Sequence, residues 1–125
     1  MKETSDNLIA VKSKAFALRC INAYQYLTTE KKEYVLSKQL LRSGTSIGVN
    51  VKKGLRGQTK PDFASKMSIA LKEASETEYW IELLSDSNLL SNKESKSLLN
   101  DCIELIKILT TIVKSAYEAL NNKDK

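Results

Sequence analysis

The side chains of this sequence that are best placed to do chemistry are cations gathered in its second quarter. Residues 34–61 include no Asp or Glu, but they include six basic residues, Lys38, Arg42, Lys52, Lys53, Arg56 and Lys60. Clustered cations attract nucleic-acid phosphates, because binding releases the counterions condensed on them. The tract therefore predicts a nucleic-acid-binding surface.

A second interpretation of the same tract remains open. Four glutamates follow on the next helical segment, at Glu73, Glu76, Glu78 and Glu82. The cations then form a solvated face that balances these carboxylates through loose ion pairs, each of little energetic value. The formal net charge of +5 is modest for a dedicated nucleic-acid binder.

The residue types needed for catalysis are poorly represented. The chain has no histidine, which is the commonest general base and a common metal ligand. Its serines and its two cysteines, Cys20 and Cys102, therefore have no imidazole to activate them. The glutamates of the third segment resemble those of di-iron bundles, but such sites also need Glu-x-x-His motifs. We therefore expect no enzyme activity, no metal, no cofactor and no small-molecule substrate.

Small and aromatic residues form a second group of candidates. Gly44 and Gly48 lie four residues apart within a helical pattern, where each Gly costs about 1 kcal/mol relative to Ala. Close approach of two backbones explains that cost, either inside one subunit or between subunits, and Asn50 flanks the same patch. Tyr79 and Trp80 are predicted to anchor helix packing or an oligomer interface. With Tyr24, Tyr26 and Tyr34 they also offer faces on which bases could stack.

Long helices must position these residues, because the chain contains few of the residues that form turns. It has four Gly and one Pro in 125 residues. Apolar residues recur at helical spacing in four segments, at about 6–27, from 34 or 37 to 57, at 59–84 and at 91–120. Thr59 ahead of Pro61, and Ser91 with Glu94, are typical of helix starts. We predict an all-α protein, a single domain of four antiparallel up-and-down helices over residues 1–125, frayed at 1–5 and 122–125.

The sequence also favours a cytoplasmic location without a membrane segment. The polar first six residues are followed by no apolar core of a secretory signal. The longest apolar stretch, residues 103–113, is interrupted by Lys107 and is too short to span a bilayer. Two cysteines are few for a secreted disulfide scaffold, so we expect buried thiols, with a bridge between Cys20 and Cys102 as the less favoured alternative.

Two segments resemble a known family. They are residues 40–51, LLRSGTSIGVNV, and residues 70–84, ALKEASETEYWIELL. Together they resemble the four-helix-bundle proteins first noticed as products of intervening sequences in bacterial 23S ribosomal RNA genes. The resemblance extends over nearly the whole chain. It implies a left-handed bundle that assembles with copies of itself into a ring-shaped homopentamer.

The resemblance also bears on partners. A related bundle is the accessory protein of diversity-generating retroelements, where it engages a reverse transcriptase and nucleic acid. This implies RNA or a nucleoprotein as a partner here, and a role as a scaffold or adaptor. The alternative is a protein-binding or self-assembling module without nucleic-acid activity. The chain departs from the family pattern at Lys52 and Lys53, where relatives have a small residue and Glu.

Overall fold

The computed structural model describes the backbone of residues 3–123 and the side chains of residues 6–122. Four helices follow one another: α1 (Glu3–Thr29), α2 (Leu36–Leu55), α3 (Lys60–Asp86) and α4 (Asn92–Lys123). Residues 3–123 contain no strand, which confirms the predicted all-α fold. Residues 1, 2, 124 and 125, where fraying was expected, lie outside the described residues, and fraying of 3–5, 122 and 123 stays a prediction.

Local capping bonds start α3 and α4 where the sequence predicts. The Thr59 hydroxyl accepts a hydrogen bond from the backbone N–H of Asp62 at 3.1 Å. The Ser91 hydroxyl accepts one from the N–H of Glu94, also at 3.1 Å. Each bond satisfies a backbone donor that has no partner within the first turn of its helix.

A glutamate outside the helix starts α2. The Glu33 carboxylate accepts hydrogen bonds from the backbone N–H groups of Val35, Leu36 and Ser37 at 3.1, 2.9 and 2.7 Å. The Ser37 hydroxyl donates in return to the Glu33 carbonyl at 2.7 Å. The side chain of one residue therefore satisfies three free donors, which fixes the start of α2 at Leu36.

Consecutive helices run in opposite directions and enclose one core. Each of α1 and α3 packs against both α2 and α4. Lys12 pairs with Glu104 and the later Arg19 pairs with the earlier Glu94, so α1 and α4 are antiparallel. The largest fully buried side chains are Ile9, Phe16, Leu27, Leu40, Ile47, Val51, Met67, Ile81, Leu84, Leu98, Leu105 and Leu109. Burying each such side chain stabilises the fold by roughly 1.5–3 kcal/mol.

This direction of the helices decides which residues share an end of the bundle. The last turn of α2, the first turn of α3 and the last turns of α4 lie together, at what we call the α2–α3 end. The α1–α2 and α3–α4 connections lie at the opposite end. Helix α2 ends at Leu55, two residues before the predicted end at Gly57. Beyond this end, the backbone N–H of Gly57 donates a hydrogen bond to the Gly54 carbonyl at 3.1 Å.

Candidate functional site

The six basic residues predicted to bind nucleic acid are all exposed, but they do not form one surface. Lys38 and Arg42 lie in the first half of α2. Lys52, Lys53, Arg56 and Lys60 lie at the α2–α3 end. At 1.5 Å of rise per residue, Lys38 is about 21 Å along the helix from Lys52.

Arg42 is engaged by α3. Its guanidinium donates to Glu76 in a short hydrogen bond and to Glu73 at 3.3 Å. The bond to Glu76 raises the pKa of Arg42, and the charges of Glu76 and Glu73 act in the same direction although partial burial opposes them. At this position the cation balances the acidic helix, as the second interpretation of the basic tract requires.

The cations at the α2–α3 end have a different environment. Lys52, Lys53 and Arg56 surround an open cleft together with Lys66 of α3, and we call these four residues the basic corner. The cleft has a volume of about 560 Å³ and one carboxylate in its lining, that of Asp62. Among residues 6–122, no carboxylate forms an ion pair with any member of the basic corner.

A buried glycine makes this corner compact. A Cβ atom at Gly54 would lie 3.2 Å from Cβ of Lys66 and 3.3 Å from Cε of Met67. The absence of a side chain therefore allows the last turn of α2 to lie directly against α3. Lys66 was not predicted as a site residue, because it joins the corner only when α3 folds back beside α2. The N-terminus of α3, with its partial positive charge, adds to the field there.

An apolar groove lies next to the basic corner and shares Gly57 and Gln58 with its cleft. The groove has a volume of about 600 Å³. Its lining comprises Asp6, Gly54, Leu55, Gly57, Gln58, Thr59, Lys60, Phe63, Thr111, Ile112, Ser115, Ala116 and Ala119. Lys60 thus faces the groove, and the last turns of α4 form its far wall.

The glycine patch of α2 packs inside the subunit. A Cβ atom at Gly44 would overlap Sγ of Cys20 on α1. One at Gly48 would meet the backbone carbonyl of Ser13 at an ordinary 3.6 Å. Asn50 is half-buried and its amide donates to the Ser46 carbonyl of the same helix at 2.9 Å. These contacts place Gly44 at the α1–α2 crossing, away from the basic corner.

Tyr79 and Trp80 are separated from the basic corner along α3. The centroids of their rings are 5.6 Å apart, and the ring planes are inclined at 57° to each other. Trp80 is partly buried and donates from its indole N–H to Glu76 at 3.0 Å, whereas Tyr79 is exposed. The tyrosines Tyr24, Tyr26 and Tyr34 lie near the α1–α2 connection, at the opposite end of the bundle. None of these aromatic residues lines the cleft of the basic corner.

A stripe of apolar residues runs along the outer face of α1. Leu8, Val11, Leu18 and Ile21 are exposed, Val11 by 68% and Leu18 by 56%. Because Val11 and Leu18 are seven residues apart, they occupy the same side of the helix two turns apart. We call these four residues the α1 stripe. It faces away from the core positions of α1, and the exposed Lys14 lies on the same side of the helix, between Val11 and Leu18.

The two cysteines are free and buried. Burial raises the pKa of each thiol to about 12. Cys102 also donates to the Ala74 carbonyl at 3.3 Å. Thiols of this kind are poor nucleophiles, because the thiolate is the reactive form.

Between residues 6 and 122, no three His, Cys, Asp or Glu side chains are grouped so that they could hold a metal ion. Within the same part, no helix is both long and apolar enough to cross a membrane.

These features define the class of the protein, an antiparallel four-helix protein whose most distinct polar surface is a cationic corner. The chain belongs to the 23S rRNA-intervening sequence protein family, whose sequence profile matches residues 5–111. This match confirms the resemblance carried by residues 40–51 and 70–84.

A crystal structure supports the same assignment. It is that of a protein with unknown function from the S23 ribosomal protein family of Bacteroides thetaiotaomicron VPI-5482. The two chains are 47% identical and superimpose with a TM-score of 0.86, over 88% of this chain and 98% of the other. No protein of curated function matches the sequence significantly.

Proposed function

We propose that this protein is a non-enzymatic, homo-oligomeric scaffold that binds RNA through phosphate contacts at the basic corner. One observation carries the proposal. The four cations Lys52, Lys53, Arg56 and Lys66 surround a single cleft that contains one carboxylate, and none of them is held in an ion pair by residues 6–122. Cations in this state are available to replace the counterions of a phosphate backbone.

The homo-oligomeric part of the proposal is supported by the α1 stripe. Its four exposed apolar residues lie on one side of α1, and apolar side chains grouped on a surface are typical of protein contacts. The family resemblance adds the expectation of a left-handed bundle in a ring of five subunits. Such a ring repeats the basic corner five times, and several weak phosphate contacts then act together.

A non-enzymatic role in the cytoplasm fits the remaining residues. The chain has no histidine, and its two thiols are buried with a raised pKa. Free, buried cysteines are typical of a reducing compartment.

A self-assembling module without nucleic-acid activity is the competing function. The ion pairs of Arg42 with Glu73 and Glu76 favour it, because they show that part of the basic tract balances charge inside the subunit. The two functions differ in their dependence on salt. Phosphate binding weakens by about 0.7–0.9 log units per contact for each log unit of salt.

Light scattering with and without a mixed RNA pool, at about 50 mM and about 200 mM salt, tests the proposal. Lys52→Glu/Lys53→Glu removes two cations of the corner. Lys93→Glu/Lys96→Glu makes the same change of charge on exposed residues at the opposite end of the bundle. We expect the first variant to lose RNA at low salt and to keep the mass of the oligomer. The control variant should retain RNA.

Each alternative result has its own meaning. An oligomer that binds no RNA at either salt concentration would contradict RNA binding and support the self-assembling module. Equal loss of RNA in both variants would mean that overall charge, and not the corner, attracts the RNA. A monomer would contradict the homo-oligomeric part of the proposal.

A further inference from the structure

The basic corner and the apolar groove form a continuous surface with two kinds of chemistry. They meet at Gly57 and Gln58, which line both. On one side of this junction are the cations of the corner. On the other side is a groove of about 600 Å³ whose lining includes Leu55, Phe63 and Ala116. A ligand that crosses the junction must be anionic at one part and flat or apolar at another.

A nucleotide unit of a single strand has this composition. Its phosphate and its base are joined by one ribose, so neighbouring anionic and apolar sites can be filled together. An unstacked base stacks on aromatic side chains and presents its polar edge to nearby hydrogen-bonding groups. Phe63 is half-buried and supplies a ring at the groove, and the polar residues Gln58, Thr59 and Ser115 lie at its lining. The volume is within the range of about 300–1,000 Å³ found for pockets that bind small molecules.

We infer that the protein binds single-stranded RNA, with phosphates at the basic corner and one unstacked base in the groove against Phe63. The inference rests on the proposed function and goes further, because phosphate contacts alone do not distinguish a single strand from a duplex. In a duplex the bases are stacked and paired inside the helix. The groove therefore selects for single strands, although a duplex has the greater density of phosphate charge.

Three RNA probes separate base from phosphate contacts. They are a labelled uridine strand of roughly 12 nucleotides, its duplex with an adenosine strand, and a strand of the same length without bases, a length that matches single-strand binding sites. Stacking of one base on an aromatic side chain changes affinity by roughly fivefold to 150-fold. We expect the uridine strand to bind more tightly than the duplex and the abasic strand by a factor in this range.

Two protein variants test the groove itself. Phe63→Leu removes the ring but keeps an apolar side chain of similar size, so the core contacts are largely preserved. Thr111→Leu narrows the groove, whereas Thr110→Leu makes the same change on the neighbouring residue, which is exposed and does not line the groove. Phe63→Leu and Thr111→Leu should weaken binding of the uridine strand by about fivefold or more and leave duplex binding unchanged. Thr110→Leu should change neither.

The outcomes separate this inference from the proposed function. Equal affinity for all three probes, lost in Lys52→Glu/Lys53→Glu, would overturn the base-binding groove and leave phosphate binding in place. A preference for the single strand that neither Phe63→Leu nor Thr111→Leu reduces would also overturn the groove. Failure of every probe to bind would overturn both.

Discussion

Gly44 of α2 lies directly against the thiol of Cys20 of α1, and a Cβ atom at position 44 would overlap Sγ of that cysteine. The same Cβ would lie 3.0 Å from Cβ of Cys20 and 3.8 Å from a ring carbon of Phe16. Both partners are fully or almost fully buried, so neither can move into solvent. The glycine is therefore required by the distance between α1 and α2.

We expect Gly44→Ala to destabilise the protein, although Ala is the better helix former by about 1 kcal/mol. Overpacking of a buried crossing costs roughly 1–3 kcal/mol, which outweighs the gain in helix propensity. Urea unfolding followed by circular dichroism measures the change in the free energy of unfolding. Cys20→Ala in the same background removes Sγ and should recover much of the loss.

Gly48→Ala is the matched control, because it makes the same substitution one turn further along α2. Its Cβ would contact Ser13 at 3.6 Å or more, which is an ordinary packing distance. We therefore expect this variant to be as stable as the wild type or more stable, by up to about 1 kcal/mol. Equal destabilisation by the two substitutions would contradict the close contact between Gly44 and Cys20.

The cap of α2 by Glu33 should make stability depend on pH. Burial of the Glu33 carboxylate raises its pKa. The hydrogen bonds from Leu36, Ser37 and Val35 lower the pKa by more than burial raises it, so it lies below its ordinary value of 4.5. A group with a lowered pKa in the folded state stabilises the fold above its unfolded pKa. This stabilisation is lost as the pH falls through the folded pKa.

We expect Glu33→Gln to reduce the free energy of unfolding by about 1 kcal/mol at neutral pH, as loss of a helix cap does. The difference from the wild type should shrink below pH 4.5, since the wild-type carboxyl then becomes neutral as well. Urea unfolding over this pH range provides the measurement. Glu30→Gln, on an exposed residue of the same connection, is the control, and an equal effect there would refute the role of the cap.

Local signals in the sequence predicted the elements of this fold well. Thr59 and Ser91 determine where α3 and α4 begin through bonds to residues three positions later, so a short segment contains the whole signal. The start of α2 was predicted less sharply, at residue 34 or 37, because its cap is a glutamate two residues before the N-cap position Val35. Glutamate is not among the residues that usually mark a helix start.

The candidate site was predicted only in part, because it is assembled by contacts between helices. The basic tract is continuous in sequence, but the rise of α2 separates Lys38 from the corner, and Arg42 pairs with Glu76 on α3. Lys66 joins the corner through the antiparallel packing of α3. The α1 stripe was also missed, although Leu8, Val11 and Leu18 recur at helical spacing on the side opposite the core.

Arg42 and Lys53 should contribute differently to RNA binding. Both are exposed cations of α2, but within residues 6–122 Arg42 has carboxylate partners and Lys53 has none. Lys53→Gln should reduce the slope of log affinity against log salt by about 0.7–0.9, the value for one lost phosphate contact. Arg42→Gln should change the slope far less. A salt titration of RNA binding by fluorescence anisotropy measures both slopes, and a larger effect of Arg42→Gln would contradict the assignment of the corner.

The last prediction is that copies of the chain assemble through the α1 stripe. Val11 and Leu18 are exposed by 68% and 56% and lie on one side of α1. If copies of the chain meet there, Val11→Glu/Leu18→Glu places two charges in a desolvated contact, and unpaired buried charges are strongly unfavourable. We expect this variant to be monomeric at concentrations where the wild type is an oligomer, with unchanged helix content by circular dichroism.

Val35→Glu is the control for this prediction, because Val35 is exposed by 71% but lies outside the stripe, next to the start of α2. A single Val11→Glu variant is compared with it, so that each protein carries one substitution. The oligomer should dissociate in Val11→Glu and persist in Val35→Glu, as measured by size-exclusion chromatography with light scattering. Persistence in both would move the interface away from α1. Since the basic corner does not include the α1 stripe, a monomeric variant should still bind RNA, but more weakly, because a single corner lacks the gain from several linked contacts.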